Sequence, residues 1–189
     1  MDISELLEKI DQGEKDFRNT TLTGTQLAGR DLRHVNFSGA CLSNVDLGGA
    51  NLTFAKWSRA RLTRVNFRGC HLFRADFAES VLSQVDLSGA NLHGADLHNA
   101  NFSGAELRAA HLAHANLSRA NFSRANLQGA NLTHCQLSGT NFSGAILVEV
   151  ILTHCSLEGA ILDGARLPDE ESPFLIAMYR MQQMWNGRS

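Results

Sequence analysis

The sequence predicts an all-β solenoid, a coil in which twenty residues make one four-sided turn. Three observations predict it. A large apolar residue recurs at every fifth position from Phe17 to Leu167, which makes 31 centres without a phase slip. A small residue stands two positions before nearly every centre, as at Ala40, Ala50, Ala90, Ala100 and Ala130. The aromatic centres pair five times at a separation of 20 (17/37, 37/57, 57/77, 102/122, 122/142) and never at 15. Helices repeat at 3.6 and flat strands at 2, so neither element accounts for a period of five.

Each part of the unit has a reason. Two residues apart on extended chain, the small residue and the centre face the same side, and both point inward. The Asn or Asp between them and the Ser or Thr after the centre point out. The fifth position, rich in Gly, breaks the alternation, so the chain must bend there. Asn, Asp, Ser and Gly bend chains through side chain to backbone hydrogen bonds or tolerance of positive φ. Only Lys15 and Arg30 interrupt the small-residue position. Like side chains twenty apart gain by stacking. Seven to eight coils at about 4.8 Å give a rod about 35 Å long.

The flanks read as ends of the rod. Residues 1–14 hold an amphipathic capping helix: Asp2 and Glu5 make a capping box, Ile3, Leu6, Leu7 and Ile10 form one face, and Gly13 stops it. Residues 15–168 are the repeat. Residues 169–189 leave it after Pro168, with Ser172 and Pro173 suited to start a second helix. Its stripe of Phe174, Met178, Met181 and Trp185 covers the last coil or makes a homodimer contact. Ile146, Val148, Ile151 and Ile161, in outward positions nearby, fit either use.

Composition excludes several classes. The chain of 189 residues is 43% hydrophobic and 19% charged with net charge -2, which argues against disorder and against a nucleic-acid binder. No window suits a membrane span and no secretory signal is read, so a cytoplasmic location is expected. The four cysteines have no CxxC pair and are expected as reduced thiols. Cys135 and Cys155, inward and twenty apart, fit buried free thiols better than a disulfide.

The stretches "ADLHNANFSGAEL" and "ANLSRANFSRANLQGANL" resemble the pentapeptide-repeat family, with its A(D/N)LXX unit, over about residues 15–168. The resemblance implies a right-handed quadrilateral parallel β-helix. Family members of this kind are cytoplasmic bacterial proteins, and some mimic DNA, bind DNA gyrase and confer quinolone or toxin resistance.

No catalytic constellation is present: no phosphate loop, no HExxH and no nucleophile elbow, so no enzyme and no cofactor is expected. The histidines are the distinctive feature. At twenty residues per coil, His34, His114, His134 and His154 share a column, His71 and His111 another, and His93 lies beside both. The reading adopted is no metal, with His114, His134 and His154 as the candidate ligands for a zinc-like ion. Phe54 and Phe73 face outward on the same side and mark a protein-contact patch with His114 and His134. Acidic residues are missing between Asp46 and Asp76 and between Glu106 and Glu149, where arginines stand instead. That disfavours DNA mimicry. The expected function is a protein-interaction scaffold; a topoisomerase-interacting protein and a histidine metal binder are the alternatives.

Overall fold

The computed structural model describes residues 3–167. The chain opens with one helix, α1 (Ile3–Asp11). Four three-residue strands follow: β1 (Thr21–Thr23), β2 (Cys41–Ser43), β3 (Arg61–Thr63) and β4 (Val81–Ser83). They form one parallel sheet in the order β1-β2-β3-β4, each residue beside the one twenty further on.

The same register holds outside the strands as isolated parallel bridges, from Asp16↔Asn36 to Ile146↔Arg166. Each extended piece is too short to count as a longer strand because the chain bends again after five residues. Every position two after a centre, from Asn19 to Gly164, has φ between 51 and 69°. Seventeen of these left-handed corners are not glycine. At a typical one, Ala40 N–H donates to the Phe37 carbonyl at 3.0 Å across Ser38 and Gly39. That is a turn with its left-handed residue third, where only glycine is free of strain.

The repeat's Asn or Asp has a local task. Its side-chain oxygen accepts from the backbone N–H two residues on, as Asn36 does from Ser38 at 3.0 Å and Asp76 from Ala78 at 2.9 Å. The bond steers the chain into the bend. Between coils, Asn36 N–H reaches the Lys15 carbonyl at 2.7 Å and Phe37 N–H the Lys56 carbonyl at 2.7 Å. The backbone is thus satisfied coil against coil.

The centres and the small residues fill the interior. Phe102, Phe122 and Phe142 stack at 4.9 and 5.6 Å, and Phe17, Phe37, Trp57 and Phe77 at 5.4, 4.7 and 5.9 Å. Phe67 meets Trp57 and Phe77 edge-on, so two columns interlock. The thiols of Cys135 and Cys155, at small positions, donate to carbonyls 23 residues back, Leu112 and Leu132, both at 2.9 Å. All four cysteines are free.

Helix α1 buries Leu6 and Ile10 in this core. It ends at Gly13, with Gly13 N–H on the Ile10 carbonyl and Glu14 N–H on the Lys9 carbonyl, both 2.9 Å, the pair of bonds of a Schellman stop. Lys15 and Arg30, the interruptions of the pattern, do not enter the core. Arg30 instead holds Asp11 at the helix end, at 2.8 Å. The stripe of Phe174, Met178, Met181 and Trp185, with Ser172 and Pro173, lies outside the described residues, as does Asp2.

Candidate functional site: a ladder of rings on one wall

One wall follows the bridge line that runs from Asp31 through His71 and His111 to Ile151. Its corner carries a continuous ladder of seven rings. His34 stacks on Phe54 at 5.2 Å, Phe54 meets Phe73 edge-on at 5.8 Å, and Phe73 stacks on His93 at 5.6 Å. His93 then contacts His114 at 5.1 Å, His114 stacks on His134 at 4.8 Å, and His134 on His154 at 4.6 Å. Six coil steps make the ladder about 29 Å long.

The corner geometry explains the line. His34, Phe54, His114, His134 and His154 all occupy left-handed corners twenty residues apart. The backbone there throws every side chain in one direction, at the strand spacing at which flat rings touch. Arg74 and Gly94 interrupt the column. The ladder sidesteps them by one residue, through Phe73 and His93. Arg74 fills the gap: its Cγ would meet a Cβ on Gly94 at 3.3 Å, and its guanidinium stands 5.4 Å from the Phe73 ring centre. That is cation–π distance.

Phe54 is 39% exposed, while Phe73 and His93 are half-buried and His114, His134 and His154 are exposed. Loss of water to its neighbours lowers the pKa of His134, and the imidazoles of His154 and His114 lower it further. His71 and His111 lie on the same wall but outside the ladder. His98 lies elsewhere, its Nδ1 2.8 Å from Asp96 Oδ1. The sequence placed Phe54, Phe73, His114 and His134 on one face, and the structure brings all four into one ladder. The sequence also put His34 in the column and His93 beside it, but did not reveal that Phe54 and Phe73 join them to the other histidines in one unbroken run of ring contacts. The spacing of 20 from His34 to Phe54 and from Phe73 to His93 was the available signal.

The stacking bears on metal binding. Imidazole lone pairs lie in the ring plane, so rings within 15° of parallel at 4.8 and 4.6 Å aim their nitrogens side by side and not at a common point. Among the described residues no group of three or more His, Cys, Asp or Glu is placed to hold an ion. No described helix is long and apolar enough to cross a membrane.

Charge is spread unevenly. Arg59 pairs with Glu79 at 2.9 Å, and Arg68 with Asp86 at 3.1 Å. Arg119 and Arg124 lie along the next coil, their Cγ atoms 3.4 and 3.6 Å from where Cβ atoms on Gly139 and Gly144 would stand. Ile151 and Ile161 are 48% and 43% exposed at the last coils.

No curated protein sequence matches the chain. Among solved structures it is similar to HetL, a pentapeptide repeat protein involved in heterocyst differentiation regulation in the cyanobacterium Nostoc sp. PCC 7120. Identity is 27%, over 89% of this chain and 98% of that one, with a TM-score of 0.41. It is also similar to the pentapeptide repeat protein Rfr23 of the cyanobacterium Cyanothece 51142, at 23% identity over 89% and 100% with a TM-score of 0.44. A third similar structure is QnrB1, a plasmid-mediated fluoroquinolone resistance protein, at 20% identity over 87% and 89% with a TM-score of 0.39. The family model described as pentapeptide repeats matches 8 copies, over residues 16–49, 46–72, 70–108, 105–144 and 135–169. With that match lying over the five-residue bends and the twenty-residue register, the chain belongs to the pentapeptide repeat family.

Proposed function

We propose that this chain is a non-enzymatic scaffold: a right-handed, four-sided rod of seven to eight coils that docks a protein partner on the wall bearing the ring ladder. Phe54 carries the reading. A phenylalanine at φ 58° sits where glycine would be free of strain, at a cost of about 1–2 kcal/mol, and it remains 39% in water. Its ring contacts with His34 and Phe73 return part of that cost, but an apolar ring left in water does nothing for solubility. Local conflicts of this kind gather at functional surfaces. Phe73 beside it and the imidazoles beyond supply further amphipathic contact area, the composition that partner-binding surfaces favour. The contact residues are Phe54, Phe73, His114 and His134.

Affinity capture from the source cell tests it. The intact chain should retain a partner that the Phe54→Asn, Phe73→Thr double variant loses. Undiminished capture by that variant would remove the wall from consideration. A topoisomerase-directed role gains less support, because a DNA-like surface wants carboxylates. Among the described residues Arg61, Arg64, Arg119 and Arg124 have no carboxylate partner. A gyrase supercoiling assay with and without quinolone separates that reading from ours.

A further inference from the structure

We propose that the ring-bearing wall is a proton-gated docking face for an acidic polypeptide, close to neutral above pH 7 and cationic between about pH 5 and 6. This rests on the docking role of the wall and names its partner chemistry and its control.

The distribution of titratable groups carries the inference. Seven of the eight histidines lie on this one wall: His34, His93, His114, His134 and His154 in the ladder, and His71 and His111 on the bridge line. Among the described residues the wall holds a single carboxylate, Asp31, and Arg33 already engages it at 2.6 Å. Arg74 is the remaining fixed charge. A fall in pH therefore adds positive charge to a wall whose one carboxylate is already engaged. The groups around the histidine run are few. Arg74 stands two coils before His114, Asp96 lies past the corner with His98 and Asn116 on its carboxylate, and Glu149 occupies the far corner of the last coil. The thiols of Cys135 and Cys155 point inward, engaged with carbonyls. Desolvation, with the imidazoles of His154 and His114 on either side, lowers the pKa of His134.

The ring geometry selects the class of partner. Nucleic-acid bases stack on open ring faces. Here, from His114 to His154, the faces are turned on one another. That leaves the ring edges to a partner, and the imidazole nitrogens lie on the edge. Ring edges carry the positive end of the quadrupole, and imidazolium N–H groups are charge-assisted donors, so both suit carboxylates. Side-chain carboxylates stay ionised down to about pH 4.3, below the range in which the wall charges.

The test uses the full chain and sodium poly-L-glutamate as the probe, with binding followed at pH 7.5 and pH 5.5 in low salt. Binding should tighten by about tenfold or more at pH 5.5 and weaken with added salt. Because the whole chain crosses zero charge near its pI of 6.4, a variant isolates the wall. His114→Asn, His134→Asn and His154→Asn together remove the run. Asn19, Asn44 and Asn99 already occupy equivalent corners, so the variant should fold, as its melting curve would show. Loss of most of the pH response in the variant supports the proposal. An unchanged response overturns it, as does tighter binding at pH 5.5 to an oligo-dT strand or to phosphatidylserine vesicles than to polyglutamate. If the pH response fails while capture still depends on Phe54 and Phe73, only the gating falls and the docking wall stands.

Discussion

The left-handed corners make a prediction that local sterics alone decide. Gly104 has φ 67°, and a Cβ built on it meets nothing within 4 Å. Ala109, one corner on, has φ 52° and already carries its Cβ in the same strained region. Gly104→Ala introduces about 1–2 kcal/mol of left-handed strain. The loss of unfolded-chain freedom returns about 0.4–1 kcal/mol. The net is a destabilisation of about 1 kcal/mol with no clash involved. Ala109→Gly runs the same balance backwards and should stabilise by about 1 kcal/mol. In a chain of this length each shifts Tm by about 2–4 °C, in opposite directions. Guanidinium unfolding followed by circular dichroism reads both, with the slope m unchanged. Gly39→Ala should cost about as much as Gly104→Ala, because the atom its Cβ would meet, Asn19 Oδ1, ends an exposed side chain that can turn away. A neutral Gly104→Ala together with a destabilising Ala109→Gly would refute the argument, since it would mean that corner conformation does not limit these residues.

Three further outcomes follow from buried and charged groups. Thr25 Oγ1 is buried without a partner, so Thr25→Val should stabilise by about 1 kcal/mol, read as a higher denaturation midpoint. Under native conditions a thiol-specific reagent should titrate one cysteine, Cys41, which is exposed. Burial pushes the Cys70 and Cys135 thiols up to about 12, so they react only on unfolding. With folded values above the unfolded one, these thiols stabilise the fold fully below about pH 8.5, and that contribution is lost as pH rises towards 12. At the acid end, the bond from Arg33 holds the Asp31 carboxyl at about 2. Its folded value is depressed, so its contribution is present above about pH 4 and disappears as pH falls to 2. Asp31→Asn should flatten that part of the pH–stability curve.

How far the site was legible depends on what each residue obeys. Phe102, Phe122 and Phe142 could be stacked on paper because inward positions are governed by the repeat, and the repeat is unbroken. Phe54 and His114 could be put on one face by the same arithmetic. The sidestep from Phe54 to Phe73 could not, because it depends on Arg74 taking up the corner over Gly94. The pairing of Arg59 with Glu79 is of the same kind. Extended chain was expected along every side; the wall of β1 to β4 keeps three residues together in strand geometry, and the other sides pair one residue per coil.

The amino-acid pattern alone was enough for the winding, the inward set and the register of twenty. Those are backbone properties, repeated thirty times over, and the summed preference of many weak signals leaves no competitor. Folding in three dimensions settled which outward side chains touch. At a corner a side chain's direction is set by the coil below and the coil above, and neighbours in space there are 19 to 21 residues away along the chain. The ring ladder is the product of that second kind of information, and so is the lack, among the described residues, of a carboxylate partner for any ladder histidine.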